Sequence, residues 1–231
     1  MDPRGAGRWT TVTHGHLGGI YAHRFDSEAA AAKNGVWRQV TAYLQRWVSP
    51  EAMVLDVACD EGYFIRNIKA RERWASDVRD VSASLGPGVH FVAVDAREIA
   101  KSVPNGYFDV VFMSNYLEHL PSSMDVMKQM REVNAILKPG GRLIVLQPNI
   151  RFVGAAYWDF IDHQTPLTEH SLGEAARLAG LEVETLIPRF LPYTTKSRLP
   201  QHPLLVRGYL RLPLAWRIFG KQTLLVARRP L

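Results

Sequence analysis

Three aspartates raise the first chemical question. Asp56, Asp77 and Asp95 each fall at the first opportunity after a short apolar run, in MVLD, WASD and FVAVD. In an open α/β sheet, the crevice beyond the carboxyl ends of the strands is where ligands bind, so acids placed there are informative. The interval from Asp56 to Asp77 is close to the roughly 20 residues that set a second-strand acid against a pair of ribose hydroxyls. A single strand-end aspartate is also a good helix cap, but three in succession point to a nucleoside site. Between the first two lies Ala58–Cys59–Asp60–Glu61–Gly62, where a nucleotide-binding loop would carry several glycines and this one keeps only Gly62. Glycine serves there for positive φ and close backbone approach. Ala58 adds one methyl group, and aspartate at position 60 tolerates the left-handed region better than most residues. Cys59 is the lone cysteine, so no internal disulfide exists. It reads as a small packing residue of this loop, and no metal ligands are assigned.

The elements that must position these residues follow from periodicity. Ser27 is suited to cap a helix carrying Val36, Val40, Tyr43, Leu44 and Trp47, which Pro50 ends. Apolar runs at residues 53–57, 73–76, 89–94, 108–113 and 143–146 read as strands, each followed by a helix-like segment. Ser122 or Ser123 starts a helix with Met124, Met127, Met130, Val133 and Leu137 on one side as core packing. Lys138-Pro139-Gly140-Gly141 ends it and turns into the next strand. Ser171 caps a helix over residues 174–179, and Gly180 closes it. LEVETLIPRF and KQTLLVARR read as two late strands pairing antiparallel on one edge. Strands alternating with helices argue for an α/β, doubly wound, mostly parallel sheet covered on both faces.

From Val54 to Asn149 the chain resembles the class I S-adenosylmethionine-dependent methyltransferases. VLDVACDEGYF, WASDV, FVAVDA, FDVVFMSNYLEHL and LKPGGRLIVLQPN match that family's motifs in order. YWDFIDHQTPLTEHSL, RFLPY and GKQTLLVA resemble, more loosely, bacterial members associated with polysaccharide or glycoconjugate synthesis. The resemblance implies a seven-stranded Rossmann-like sheet with an antiparallel C-terminal pair, and S-adenosyl-L-methionine as cofactor. It implies that Asp77 bonds the ribose hydroxyls, that Asp95, with Ala96 beside it, faces the adenine amino group, and that Asp56 and the Ala58–Gly62 loop, Cys59 included, lie under the methionine moiety. Asn115 would stand near the transferred methyl. Asp60, in place of a usual glycine, either only permits the turn or also holds the cofactor's ammonium group.

Transfer of a methyl group from a sulfonium is an in-line displacement, for which the acceptor atom must be brought to about 3–3.5 Å. A hydroxyl acceptor is helped by a base, and histidine is the usual one near neutral pH. His163, after the fifth strand, is the first candidate and His119, after the fourth, the second. His170 reads as preceding a helix cap. Tyr157 and Trp158 suit stacking against a sugar or aromatic acceptor, with Asp162 nearby, and Tyr21 or Arg24 could reach the cofactor carboxylate from an N-terminal lid. The chain divides into residues 1–50, a lid or capping helix, and 51–231, the cofactor-binding domain with a basic, aromatic insertion at about 191–220.

The net charge is +6, and no acid follows Glu184 while nine basic residues do. Such a tail suits phosphate-bearing partners. Arg207, Arg211 and Arg217 interleave with apolar residues between Leu204 and Phe219, which fits contact with a membrane surface or a lipid-linked diphosphate, or else a homodimer contact or substrate lid. A span of roughly 18–20 apolar residues is absent, so a cytoplasmic protein is expected, peripheral to the membrane's inner face if that surface binds lipid. SNYLEHL lacks the Asn/Asp-Pro-Pro-aromatic run of enzymes that methylate base amines, which argues against nucleic acid. The expected activity is O-methylation of a sugar in glycan or glycoconjugate synthesis. A natural-product acceptor, a non-methylating reaction with the same cofactor, and an inactive partner subunit are the alternatives.

Overall fold

The computed structural model describes residues 27–193 and 202–231. Seven strands form one sheet in the order β3-β2-β1-β4-β5-β7-β6. β1 (Met53–Val57), β2 (Glu72–Asp77), β3 (Val89–Ala93), β4 (Phe108–Ser114) and β5 (Leu137–Pro148) run parallel. β7 (Gln222–Arg228) runs antiparallel to both β5 and β6 (Glu182–Leu191). The expected doubly wound sheet with an antiparallel C-terminal pair is therefore the observed one. The pair stands at one edge as expected, with β7 next to β5 and β6 outermost. The TLLVA run of β7 is buried on both faces, as an interior strand requires, whereas β6 alternates and takes the edge.

The helices are α1 (Ser27–Leu44), α2 (Tyr63–Asn67), α3 (Ser82–Leu85), α4 (Ser123–Ile136), α5 (Ile150–Val153), α6 (Glu169–Leu178), α7 (Pro203–Leu210) and α8 (Pro213–Phe219). Two cores separate across the sheet because neighbouring strand residues point to opposite faces. Leu55, Val57, Val111, Met113, Leu143 and Val145 pack with α4 and α6 on one side. Val54, Val110, Phe112, Ile144 and Leu146 pack with α1, α2, α7 and α8 on the other. A Cβ on Gly35 would stand 2.7 Å from Pro203 Cγ, so glycine is what lets α7 lie against α1.

Several sequence expectations shift at element ends. Ser122 does cap α4, but the helix buries Val126, Met130, Val133 and Ile136 while Met124 faces solvent. Leu137 belongs to β5, which starts directly after α4: Leu137 pairs with Phe108, and the register then shifts before Arg142 meets Val110. Gly140, at φ 77°, lies inside this irregular stretch. Thr168, not Ser171, caps α6. Ser171 is the third helical residue, and its hydroxyl returns a hydrogen bond from the Thr168 amide in a reciprocal capping box. His170 is consequently inside α6 and exposed, 3.3 Å from Glu169. Residues 1–26, with Tyr21, Arg24 and that part of the expected lid, lie outside the described residues, whereas the expected capping helix is α1.

Candidate functional site

The loop that follows β1 has the backbone of a glycine loop although only Gly62 of its three alternate positions is glycine. Ala58, Asp60 and Gly62 have φ of 54°, 51° and 69°, so all three alternate positions are left-handed. Holding an L-residue there costs about 1–2 kcal/mol, and such strain persists only where surrounding structure imposes it. Here the Cys59 amide donates to Ser76 O at 2.9 Å, the Asp60 amide to Asp77 Oδ2 at 3.0 Å and the Gly62 amide to Cys59 O at 2.8 Å. Gly62 then caps α2, and a Cβ there would stand 2.2 Å from Leu85 Cδ2. Cys59 is buried, its thiol pushed well up by burial and the nearby acids, which fits packing. Asn115, the first residue past β4, is the third non-glycine with positive φ, at 48°. Among the described residues, all such strain gathers at the carboxyl ends of β1 and β4. Ala58→Gly should relieve it, and about 0.4–1 kcal/mol lost to a more flexible unfolded chain leaves a net gain. A melting temperature raised by about 2 °C, read by calorimetry, is the expected result.

Two of the three strand-end acids that sequence spacing singled out, Asp77 and Asp95, are bonded by an arginine two residues on. Arg79 donates its amide and Nε to Asp77 Oδ1 at 3.0 and 3.1 Å, and its Nη2 reaches Asp60 Oδ1 at 2.8 Å. Lys33 stands 3.6 Å from the other Asp60 oxygen. Of the two roles left open for Asp60, the structure has it permitting the turn, with its carboxylate paired to cations of the chain itself. At β3, Asp95 caps the 3₁₀ turn Ala96–Lys101 and accepts Arg97 Nη2 at 2.6 Å, which holds its carboxyl below the usual range against the opposing effect of burial. Ala96 is buried behind it.

Asp56, at the end of β1, is buried, and desolvation raises its pKa well above the ordinary 3.8, opposed by the Ile65 amide and reinforced by Asp77 and Asp60. From about pH 4 upward the unfolded chain releases this proton while the folded one keeps it, so Asp56 withdraws stability as pH rises through the raised value. Asp56→Asn removes that slope. Its melting temperature relative to the parent protein should climb as pH rises above about 4 and level off once the parent's Asp56 has ionised.

Past β4, a second cluster forms. The 3₁₀ turn Leu117–His119 presents Glu118 and His119, and the Glu118 carbonyl accepts the amides of Gln164 and Thr165 at 2.8 and 3.0 Å. Those two bonds dock the loop after β5 and bring His163 beside His119, ring centroids 5.1 Å apart. Glu118 is 1% exposed, and its carboxyl is pushed up by burial although Gln147 Nε2 donates to Oε2 at 3.1 Å. His119 Nδ1 lies 3.0 Å from the Asp162 carbonyl. His163 is buried and stacks on Phe160 at 5.0 Å. Tyr157, expected to stack on an acceptor, is fully buried instead: it packs edge to face against Trp158 and its hydroxyl donates to Thr165 O at 2.7 Å. Trp158 is exposed.

Thus the structure brings together Asp56, the Ala58–Gly62 loop and Asp77 at β1 and β2, and His119, Asp162 and His163 at β4 and β5. Sequence reading missed Arg79, Arg97 and Glu118. The first two were signalled by a repeated Asp-x-Arg spacing after two successive strands, the third by the adjacency of a carboxylate to His119.

The sequence profile of a family described as a methyltransferase domain matches residues 29–186. The chain belongs to that family. Among curated proteins, it is 30% identical over 127 residues to the ubiquinone/menaquinone biosynthesis C-methyltransferase UbiE of Ectopseudomonas mendocina (strain ymp). That match covers 48% of this chain and 47% of that protein, so the chain spans about half the length of the curated relative. Solved structures with the same fold include a SAM-dependent methyltransferase from Archaeoglobus fulgidus (TM-score 0.60, 19% identity, 82% of this chain and 93% of that one). Another is the [4+2]-cyclase SpnF (TM-score 0.58, 21% identity, 84% and 81%). Membership of the methyltransferase-domain family bears out the expected class of fold and S-adenosylmethionine as its cofactor. No helix among the described residues is long and apolar enough to cross a membrane.

Proposed function

We propose that this protein transfers a methyl group from S-adenosylmethionine to a hydroxyl of a sugar-containing, phosphate-bearing acceptor, as in glycoconjugate synthesis. The observation carrying the reading is the left-handed Ala58–Asp60–Gly62 loop, held against Asp77 at the carboxyl edge of the sheet. The donor chemistry fits the cofactor: two ribose hydroxyls and an adenine amino group are donors, and Asp77 and Asp95 are the acceptors they need. Arg79 and Arg97 hold these acids in the structure, so binding exchanges an arginine fork for cofactor hydroxyls and amine. Asp60, with Arg79 drawn away, keeps Lys33 beside one oxygen and offers the other to the ammonium group. When bound, the cofactor supplies an electrophilic methyl on a sulfonium. The chain's own part is to orient that group and to handle the acceptor's proton, and Glu118, His119, Asp162 and His163 are the groups placed for the second task.

The acceptor class rests on charge and exposure. Leu204, Leu205, Leu212, Leu214, Ile218 and Phe219 are exposed on α7, α8 and their junction, together with Arg207, Arg211 and Arg217. Apolar residues interleaved with cations and no acid suit a lipid-linked phosphate at a membrane surface better than a free sugar. Division of the chain into an N-terminal lid and a cofactor-binding domain is part of the same proposal. Calorimetry with S-adenosylmethionine tests the first half of the reading, and absence of binding heat sinks it. Mass spectrometry of phosphate-bearing sugar acceptors, with S-adenosylhomocysteine measured alongside, tests the second. An acceptor changed without release of S-adenosylhomocysteine would place the protein with the non-methylating users of this fold instead.

A further inference from the structure

The cluster past β4 has the composition and spacing of a metal centre. One ligand atom each from Glu118, His119 and His163 lies within 4.8 Å of the others. The protonation pattern is set by the neighbours. His119 Nδ1 faces the Asp162 carbonyl at 3.0 Å and Asp162 Oδ2 at 3.5 Å, both acceptors, so Nδ1 carries the proton and Nε2 keeps its lone pair. That lone-pair nitrogen stands 4.0 Å from Glu118 Oε1. Two electron-rich atoms at this separation are too far apart for a hydrogen bond. Ligand atoms at about 2.0–2.2 Å from a tetrahedral first-row ion stand about 3.3–3.5 Å apart, so side-chain rotations of about an ångström are needed to draw the three atoms onto one ion.

The outer contacts also match. A ligating histidine commonly donates its other N–H to a carbonyl or carboxylate, and a ligating carboxylate is itself hydrogen-bonded. Asp162 does the first for His119, and Gln147 Nε2 does the second for Glu118 at 3.1 Å. Gln147 Oε1 is a buried acceptor with no hydrogen-bond partner among the described residues, so the pocket holds more acceptors than donors. Glu118, 1% exposed, is a buried carboxylate that a cation would stabilise. We infer that Glu118, His119 and His163 bind one divalent transition-metal ion. Two imidazoles and one carboxylate favour zinc, cobalt or iron over magnesium or calcium. Three protein ligands leave coordination positions open. The purpose of the ion rests on the proposed methyl transfer: an acceptor hydroxyl at an open position would give up its proton to solvent more readily, and its oxygen would take the methyl group as the cofactor leaves as S-adenosylhomocysteine.

The test uses the full-length protein stripped with a chelator and titrated with Zn²⁺ by calorimetry and with Co²⁺ by visible spectroscopy. One equivalent should bind, and Co²⁺ should show d–d absorption. Glu118→Gln, His119→Ala and His163→Ala should each weaken binding roughly a hundredfold or more, since loss of an outer-shell partner alone costs 10–100-fold. His170→Ala should leave it unchanged. Circular dichroism and a cooperative melt verify each fold, and the half-exposed His119 supplies the variant least disruptive to packing. The inference is overturned if the folded parent binds no ion, or if binding survives all three substitutions. It is equally overturned if binding disappears only on replacing the three histidines of the N-terminal stretch, His14, His16 and His23. Calorimetry with S-adenosylmethionine on the same sample separates the two proposals: cofactor binding without metal binding removes only this one, and the reverse removes only the methyltransferase reading.

Discussion

Asp77→Asn should weaken S-adenosylmethionine binding by roughly a hundredfold, with little change in melting temperature. The carboxylate is 7% exposed, and in the structure its oxygens accept the Asp60 amide, the Arg79 amide and the Arg79 side chain. Hydrogen bonds to a charged group contribute about 1.5–3 kcal/mol each, and tenfold in affinity is about 1.4 kcal/mol. The Asp60 and Arg79 amides bind different oxygens of Asp77, so asparagine keeps an acceptor for only one of them and presents a donor where ribose needs an acceptor. Arg79→Leu should act in the opposite direction, tightening binding about five- to tenfold, because the guanidinium competes for the same oxygens in a partly exposed pair. Opposite signs at two residues in contact exclude a general loss of fold. Titration calorimetry of both variants decides the matter: equal affinities for Asp77→Asn and the parent would remove Asp77 from the ribose site.

What was legible in the sequence, and what was not, divides along a physical line. The order of strands and the acids at their ends come from local apolar runs, so β1 to β4 were placed within a residue or two. The segments LEVETLIPRF and KQTLLVARR were also read as the strands that became β6 and β7. The insertion of β7 between β5 and β6 was not legible, because neighbour order among strands is set by long-range burial rather than by any one segment. Thr168 was missed as the cap of α6 because Ser171 is also a good capping residue. Only the register of the helix decides that Ser171 is the third helical residue.

The candidate site shows the same division. Asp60 was readable as a residue able to take positive φ, and it does so at 51°. Its partners were not readable, since Arg79 is 19 residues away and meets it only through the β1–β2 juxtaposition. Ala58 at 54° is the sharper case. A composition rule that demands glycine would reject this loop, yet the Cys59 and Asp60 amides, bonded to Ser76 O and Asp77 Oδ2 across the β1–β2 junction, and the Gly62 amide, bonded to Cys59 O within the loop, hold the shape that glycine would only have permitted. Burial explains the error over Tyr157: an aromatic in a candidate acceptor loop reads alike whether it faces outward or anchors the loop, and its bond to Thr165 O fixes the second.

His163→Ala should reduce turnover roughly a hundredfold or more, within the range expected for losing a group that handles the acceptor proton, while cofactor affinity stays within twofold. The separation of the two effects follows from the sheet. Asp77 ends β2, whereas His163 docks on the turn after β4, and β1 lies between them. At about 4.8 Å per strand the two regions stand on the order of 10 Å apart, near the distance beyond which substitutions act independently. His163 packs against His119, Tyr157 and Phe160, so its removal opens a space lined by aromatic rings. Added imidazole should enter that space and restore part of the turnover, which a purely structural role would not allow. Release of S-adenosylhomocysteine and calorimetric affinity, measured on the same preparation, separate the outcomes. If affinity falls in step with turnover, the loop after β5 braces the cofactor loop rather than the acceptor, and His163 leaves the chemistry altogether.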